Sequence, residues 1–136
     1  MAVQLQVALA NTLLDTYEST IGVSAILKIY NLTAGAPANC AAAITGTVLA
    51  TLNLPSDWMA AAASGSKAKT GTWEDASADV AGVADFYRLF KSDGTTCMEQ
   101  GTVTLTGAGG DMTLDNTNIT VTQQVIVTGF TKTLPV

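Results

Sequence analysis

The chain has 136 residues, the size of one domain, and area scaling gives it roughly 6,700 Å² of folded surface, enough for a core without staples. Six basic and eleven acidic residues leave a net charge of −5 at pH 7, which offers nothing to a nucleic-acid backbone and excludes that class of partner. With 48% apolar and only 12% charged residues a disordered chain is excluded, and much of the surface must be Thr, Ser, Ala and Gly, a composition that suits a molecule covered by neighbours.

The opening MAVQLQVALANTLLDTYEST has neither a basic start nor a continuous apolar run, so no secretory signal is expected in it. No stretch reaches membrane-span hydrophobicity, and the expectation is a soluble protein without a membrane partner. Residues 3–21 read as a helix, because Val3, Val7, Ala10, Leu14, Tyr17 and Ile21 recur at spacings of four and three, with Leu5, Leu9 and Leu13 widening the stripe. Gly22 supplies the stop. A helix this apolar must lie on something, either its own sheet or a neighbouring subunit.

After Gly22 the period falls to two. Val23, Ala25, Leu27 and Ile29 point one way and Ser24, Ile26, Lys28 and Tyr30 the other, which makes the first strand. Asn31 to Gly46, with Pro37 and Cys40, reads as a long loop. Val48, Ala50 and Leu52 form a second strand ended by Pro55, and Trp58 to Ala63 suits either one short helical turn or an irregular crossing. A short strand follows at Trp73, then a polar turn region from Glu74 to Gly82. Val83 to Phe90 is the clearest strand, its Phe86, Tyr87 and Phe90 marking the centre of the core. Ser92-Asp93-Gly94 turns the chain, and Cys97 to Leu105 returns as the hairpin partner. Met112 to Leu114 is a short strand, and Gln123 to Leu134 closes the chain as a long one covered on both sides.

One helix (3–21) followed by closely spaced strands (23–134), with no helix between them, predicts a single mainly β domain over 1–136. The architecture expected is an antiparallel β-sandwich, jelly-roll-like, with one N-terminal helix.

The chain contains no histidine, which removes Ser-His-Asp and Cys-His catalysis and nearly all zinc hydrolase sites. Cys40 and Cys97 stand 57 residues apart, so they form neither a zinc knuckle nor a redox CxxC pair. One disulfide is open to them, but two free, partly buried thiols of a protein made in a reducing cytosol are expected. Among the carboxylates, Asp93 and Asp115 stand in turn contexts, while Asp85 and Arg88 face opposite sides of their strand and do not pair along it. Asp57 and Asp111 complete the candidates, and no two of them form a recognisable acid/base pair. Gly109-Gly110-Asp111 with Asp115 and Asn116 falls short of a calcium loop, and Gly107, Gly109 and Gly110 lie between strands, where they cannot cradle a phosphate. No metal, cofactor or catalytic residue is expected, and the chain is read as not an enzyme. Asn31-Leu32-Thr33 and Asn118-Ile119-Thr120 match glycosylation sequons, which mean nothing without a secretory route. Trp58 and Trp73 would have to share an exposed face to stack on sugars; packing in a core or interface is the expected role.

Several stretches together are familiar. They are Thr20 to Asn31 (TIGVSAILKIYN), Pro37-Ala38-Asn39-Cys40, Leu49 to Pro55 (LATLNLP), Ala84 to Asp93 (ADFYRLFKSD), Gly101-Thr102-Val103, Gly110 to Asp115 (GDMTLD) and the closing Val125 to Pro135. In this order the chain resembles the head decoration, or cement, proteins of tailed bacteriophages, and departs from them in its acidic turn Glu74-Asp75 to Asp79. The resemblance implies a jelly-roll-like virion protein, made in the host bacterial cytoplasm, that binds the capsid exterior and bridges major capsid subunits. Its partners would be the major capsid protein and further copies of itself, as dimer or trimer. The contact residues expected are Val3, Val7, Leu14, Tyr17, Pro37, Trp58 and Met59, on the helix and the Ala-rich loops 34–43 and 59–68. The alternatives are a tail or neck component and a host-attachment or carbohydrate-binding module.

Overall fold

The computed structural model describes residues 1–136. Its one helix, α1 (Val7–Ile21), precedes ten strands: β1 (Ile26–Leu32), β2 (Gly46–Asn53), β3 (Ser66–Ala68), β4 (Glu74–Asp75), β5 (Gly82–Val83), β6 (Phe86–Phe90), β7 (Cys97–Leu105), β8 (Met112–Leu114), β9 (Asn118–Ile119) and β10 (Val125–Thr133). The fold is mainly β with an N-terminal helix, as the strand spacing predicts.

The helix begins four residues later than its apolar period. Gln6 is the N-cap, its side chain accepting from the Ala8 N–H at 2.7 Å, while the Leu5 N–H donates to Pro135 O at 2.7 Å and holds the preceding residues extended. At the other end Gly22 takes φ 95° and its N–H caps Glu18 O. Ser24 follows with φ 52°, so the chain turns before β1 starts and Val23 is left exposed, contrary to its place in the predicted alternation. Ala25, Leu27 and Ile29 do face the core.

Eight strands form one sheet in the order β2-β1-β6-β7-β8-β10-β3, with β4 paired to β10 off that path; β5 and β9 form a separate two-stranded ribbon. The sheet folds over its own core. The β4 strand, paired to β10, lies beside the edge strand β2, and Asp75 Oδ2 accepts the Thr51 N–H at 3.0 Å between them. Every pairing is antiparallel except β7 with β8. Residues 106–111 bring the chain back alongside β7 in far less than the dozen residues of an ordinary parallel crossover. Gly107 and Gly109, at φ 84° and 85°, supply the left-handed turns that this requires.

The predicted strand 83–90 is two strands. Val83 pairs with β9, the chain bends at Ala84 and Asp85, and β6 then enters the main sheet between β1 and β7. Asp85 holds the bend by accepting the Leu32 N–H at 3.1 Å. Residues 58–63 form no helical turn but run irregularly against 66–69, with bridges Met59 to Lys69 and Ala63 to Ser66.

All five residues of β6 are buried, because both of its faces are covered. Tyr87 and Leu89 enter the main core, where ring centroids link Trp58 to Trp73 (5.8 Å), Trp73 to Phe130 (5.2 Å) and Phe130 to Tyr87 (6.0 Å). Phe86, Arg88 and Phe90 alternate onto the other face, where Arg88 meets the loop 33–45. The Arg88 guanidinium donates to Asn39 O (3.1 Å), Ala42 O (2.7 Å) and Gln100 Oε1, and Gln100 in turn donates to Pro37 O at 2.8 Å. The same loop is tied covalently. Cys40 and Cys97 form a disulfide, with Cα atoms 5.5 Å apart, and no cysteine is free, which corrects the expectation of two thiols. What decided it is that the loop folds back over β6 and delivers Cys40 to the first residue of β7, a proximity that a separation of 57 residues does not reveal.

Candidate functional site

The candidate surface is the N-terminal arm and helix, together with the loops that the resemblance singled out. Helix α1 packs on its own chain. Ala10, Leu14 and Ile21 are buried, Tyr17 stacks edge-on against Trp58 at 6.1 Å between centroids, and the Trp58 indole N–H donates to Gly22 O at 2.9 Å. The choice between own sheet and neighbour is thus made for the inner face.

The expected contact residues fall into two groups. Val3 (76% exposed) and Val7 lie on the surface. Leu14, Trp58 and Met59 do not; they are packed inside, and that corrects their assignment as contacts, since reaching them would mean removing the helix. Tyr17 is half-buried with its hydroxyl engaged by Glu99 at 2.8 Å. Pro37 is half-buried in a loop pinned by Gln100, Arg88 and the disulfide. Trp58 and Trp73 both lie in the core and offer no shared stacking face.

Two residues read as part of the inward stripe instead point out. Leu9 (50% exposed) and Leu13 (48%) sit one position before Ala10 and Leu14, a rotation of about 100° that carries them off the buried face. Leu9 and Leu13 stand about 40° apart round the helix and share their side with the uncharged, exposed Thr12, Thr16 and Thr20, while Val7 lies on the other edge of the buried face and Val3 on the extended arm before the helix. Helical period alone could not separate them from the inner stripe, because leucines stand on both sides of it.

Electrostatically the surface is one-sided. Lys67 and Arg88 are buried, and the remaining four lysines are half-buried against Phe90, Trp73, Glu99 or their own strands, whereas most carboxylates are exposed. Lys67 joins β3 to the helix through Asp15 and Glu18. Burial alone would lower its pKa, but these two carboxylates outweigh that and hold it raised. Glu99 gathers Tyr17 from α1, Tyr87 from β6 and Lys132 from β10 onto one carboxylate. Burial first, then the Glu99 charge, pushes both tyrosines well above their ordinary range, so they act as fixed donors. Neither cluster was apparent in the sequence, where Lys67 and Glu99 are isolated charges on different elements.

Asp93 forms the turn expected of it, accepting from the Thr95 and Thr96 N–H groups and the Thr96 hydroxyl, while Asp111 accepts the Thr102 N–H and hydroxyl at 2.9 Å. No cluster of three or more Cys, Asp or Glu side chains is placed to hold a metal ion. A groove of about 620 Å³ lies between α1 and the 56–61 segment, bordered by Asp15, Glu18, Asp57 and Lys67, and of these Asp15, Glu18 and Lys67 are paired with one another. No helix is long and apolar enough to cross a membrane.

Compared with known proteins, the chain matches no family model, no curated protein and no solved structure.

Proposed function

We propose that the protein is a non-enzymatic virion component that binds the outer surface of a tailed-phage capsid and cements neighbouring major capsid subunits. The observation that carries this reading is the outward pair Leu9 and Leu13, flanked by uncharged threonines, on a helix whose inner face is already satisfied by its own body. Such a face can be buried against a partner without desolvating charge. Repetition of one modest contact over a symmetric shell turns weak single binding into firm retention. Two further features support the reading. The disulfide suits a protein that works outside the reducing cytosol, where virion surfaces reside. The inward placement of the cations leaves an anionic exterior, so a basic receiving surface is the complement expected on the capsid.

Mixing the purified protein with undecorated mature capsids tests this directly. Wild-type protein is expected to co-sediment at a fixed ratio, and Leu9→Asp/Leu13→Asp is expected to stay in the supernatant with an unchanged melting curve. Absence of wild-type co-sedimentation across several salt concentrations ends the reading.

A further inference from the structure

Helix α1 is fastened to the body around a single buried cation. Lys67 on β3 is 2% exposed, and its ammonium bonds Asp15 Oδ1 at 2.7 Å, Glu18 Oε2 at 2.8 Å and Ala60 O at 2.9 Å. Both carboxylates belong to the helix. They also accept backbone N–H groups of the crossing segment, Asp15 from Ala62 at 3.0 Å and Glu18 from Met59 at 3.1 Å. The remaining polar ties are Asn11 Oδ1, which accepts the Gly65 N–H, the Tyr17 hydroxyl, which donates to Glu99, and the C-cap Gly22 O, which accepts the Trp58 indole N–H. Asp15 is half exposed, at 51%, so protons reach it freely. Lys67 has no other counter-ion. Asp57 borders the same groove without contacting Lys67, and the register partner of Lys67 on β10 is another cation, Lys132, itself held by Glu99 beside Tyr17 and Tyr87.

We propose that α1 is an acid-released latch: protonation of Asp15 removes one of the two carboxylates that neutralise the buried Lys67 ammonium, and the helix leaves the body while the disulfide-tied sheet stays folded. A buried charge deprived of its partners is far costlier than the pair is favourable, so the interface cannot tolerate the protonated state. The sign follows from Asp15. Its Lys67 bond, then the Ala62 N–H, hold its carboxyl below the ordinary value of 3.8, so its contribution is whole above that value and is lost as the pH falls through the lowered one. The main ladders, β1 with β2 and β6, β6 with β7, and β8 with β10, contain no residue of α1 and keep their bonds. Release uncovers Leu14, Tyr17 and Ile21 on the helix and Trp58 and Met59 on the body, an apolar surface hidden at neutral pH.

Hydrogen exchange read by mass spectrometry, corrected for the intrinsic pH dependence, separates release from global unfolding. Between about pH 6 and about pH 2 the protection of helix amides is expected to fall by about tenfold or more, with the fall beginning below about pH 4, while that of Phe86–Phe90 holds. Lys67→Met removes the stranded charge and is expected to abolish the fall. Asp15→Asn/Glu18→Gln, which strands Lys67 at every pH, is expected to show an unprotected helix already at neutral pH and serves if Lys67→Met does not fold. Simultaneous loss of protection in the helix and Phe86–Phe90, an undiminished acid response in Lys67→Met, or a fully protected helix in the double variant would each overturn the proposal.

Discussion

Replacing both disulfide cysteines, as Cys40→Ser/Cys97→Ser, perturbs the unfolded chain far more than the folded one. In the native state the loop 33–45 keeps its other anchors, Arg88 on Asn39 O and Ala42 O and Gln100 on Pro37 O, so its position does not depend on the sulfur bridge. The bridge instead closes a loop with a sequence separation of 57 in the denatured ensemble. Chain-entropy scaling for a loop of that length gives about 4 kcal/mol. The unfolding entropy of a 136-residue domain is about 290 cal/mol/K, so the expected fall in melting temperature is about 14 °C. Thermal melts followed by circular dichroism, on the double variant and on wild type with and without reductant, measure it. The tryptophan emission spectrum before melting is expected to be unchanged, since Trp58 and Trp73 lie in the core on the other face of β6. A fall of less than about 4 °C with two-state melting retained would refute the assignment of stability to loop closure. A changed native spectrum would refute the claim that Arg88 and Gln100 hold the loop unaided.

Gly101→Ala is expected to destabilise by about 1–3 kcal/mol, because the added carbon would lie 2.8 Å from both Tyr87 Cε1 and Asp111 Oδ2, and Tyr87 is fixed by Glu99 and Phe130; an unchanged melting temperature would contradict it. Asp93, held to about 2 by the Thr96 hydroxyl and then by the Thr96 and Thr95 N–H groups, should show a carboxyl chemical-shift midpoint near that value by NMR. Its stabilising contribution is present above the ordinary 3.8 and lost as the pH falls to about 2, so the stability gap between wild type and Asp93→Ala should narrow over that interval.

Alternation and turn chemistry placed β2, β7, β8 and β10 within a few residues, and the aromatic run Phe86 to Phe90 announced a central strand. These features were legible because each depends on neighbours one to four positions away. The early start of the helix was misread for the complementary reason: Val3 continues the apolar period, but the Leu5 bond to Pro135, at the far end of the chain, holds that stretch extended. Likewise Leu9 and Leu13 belong to the apolar surplus of α1, and only the direction in which the helix docks shows that they are the residues left outside.

Composition and periodicity alone determined a mainly β, low-charge, histidine-free domain with an apolar helix at its start, since those properties are local or additive along the chain. Three things had to wait for the tertiary structure: the disulfide, the burial of Trp58 and Met59, and the convergence of Asp15, Glu18 and Lys67. Each joins residues tens of positions apart, and such meetings depend on how the sheet folds over its core and where the helix comes to rest. No local preference encodes that distance.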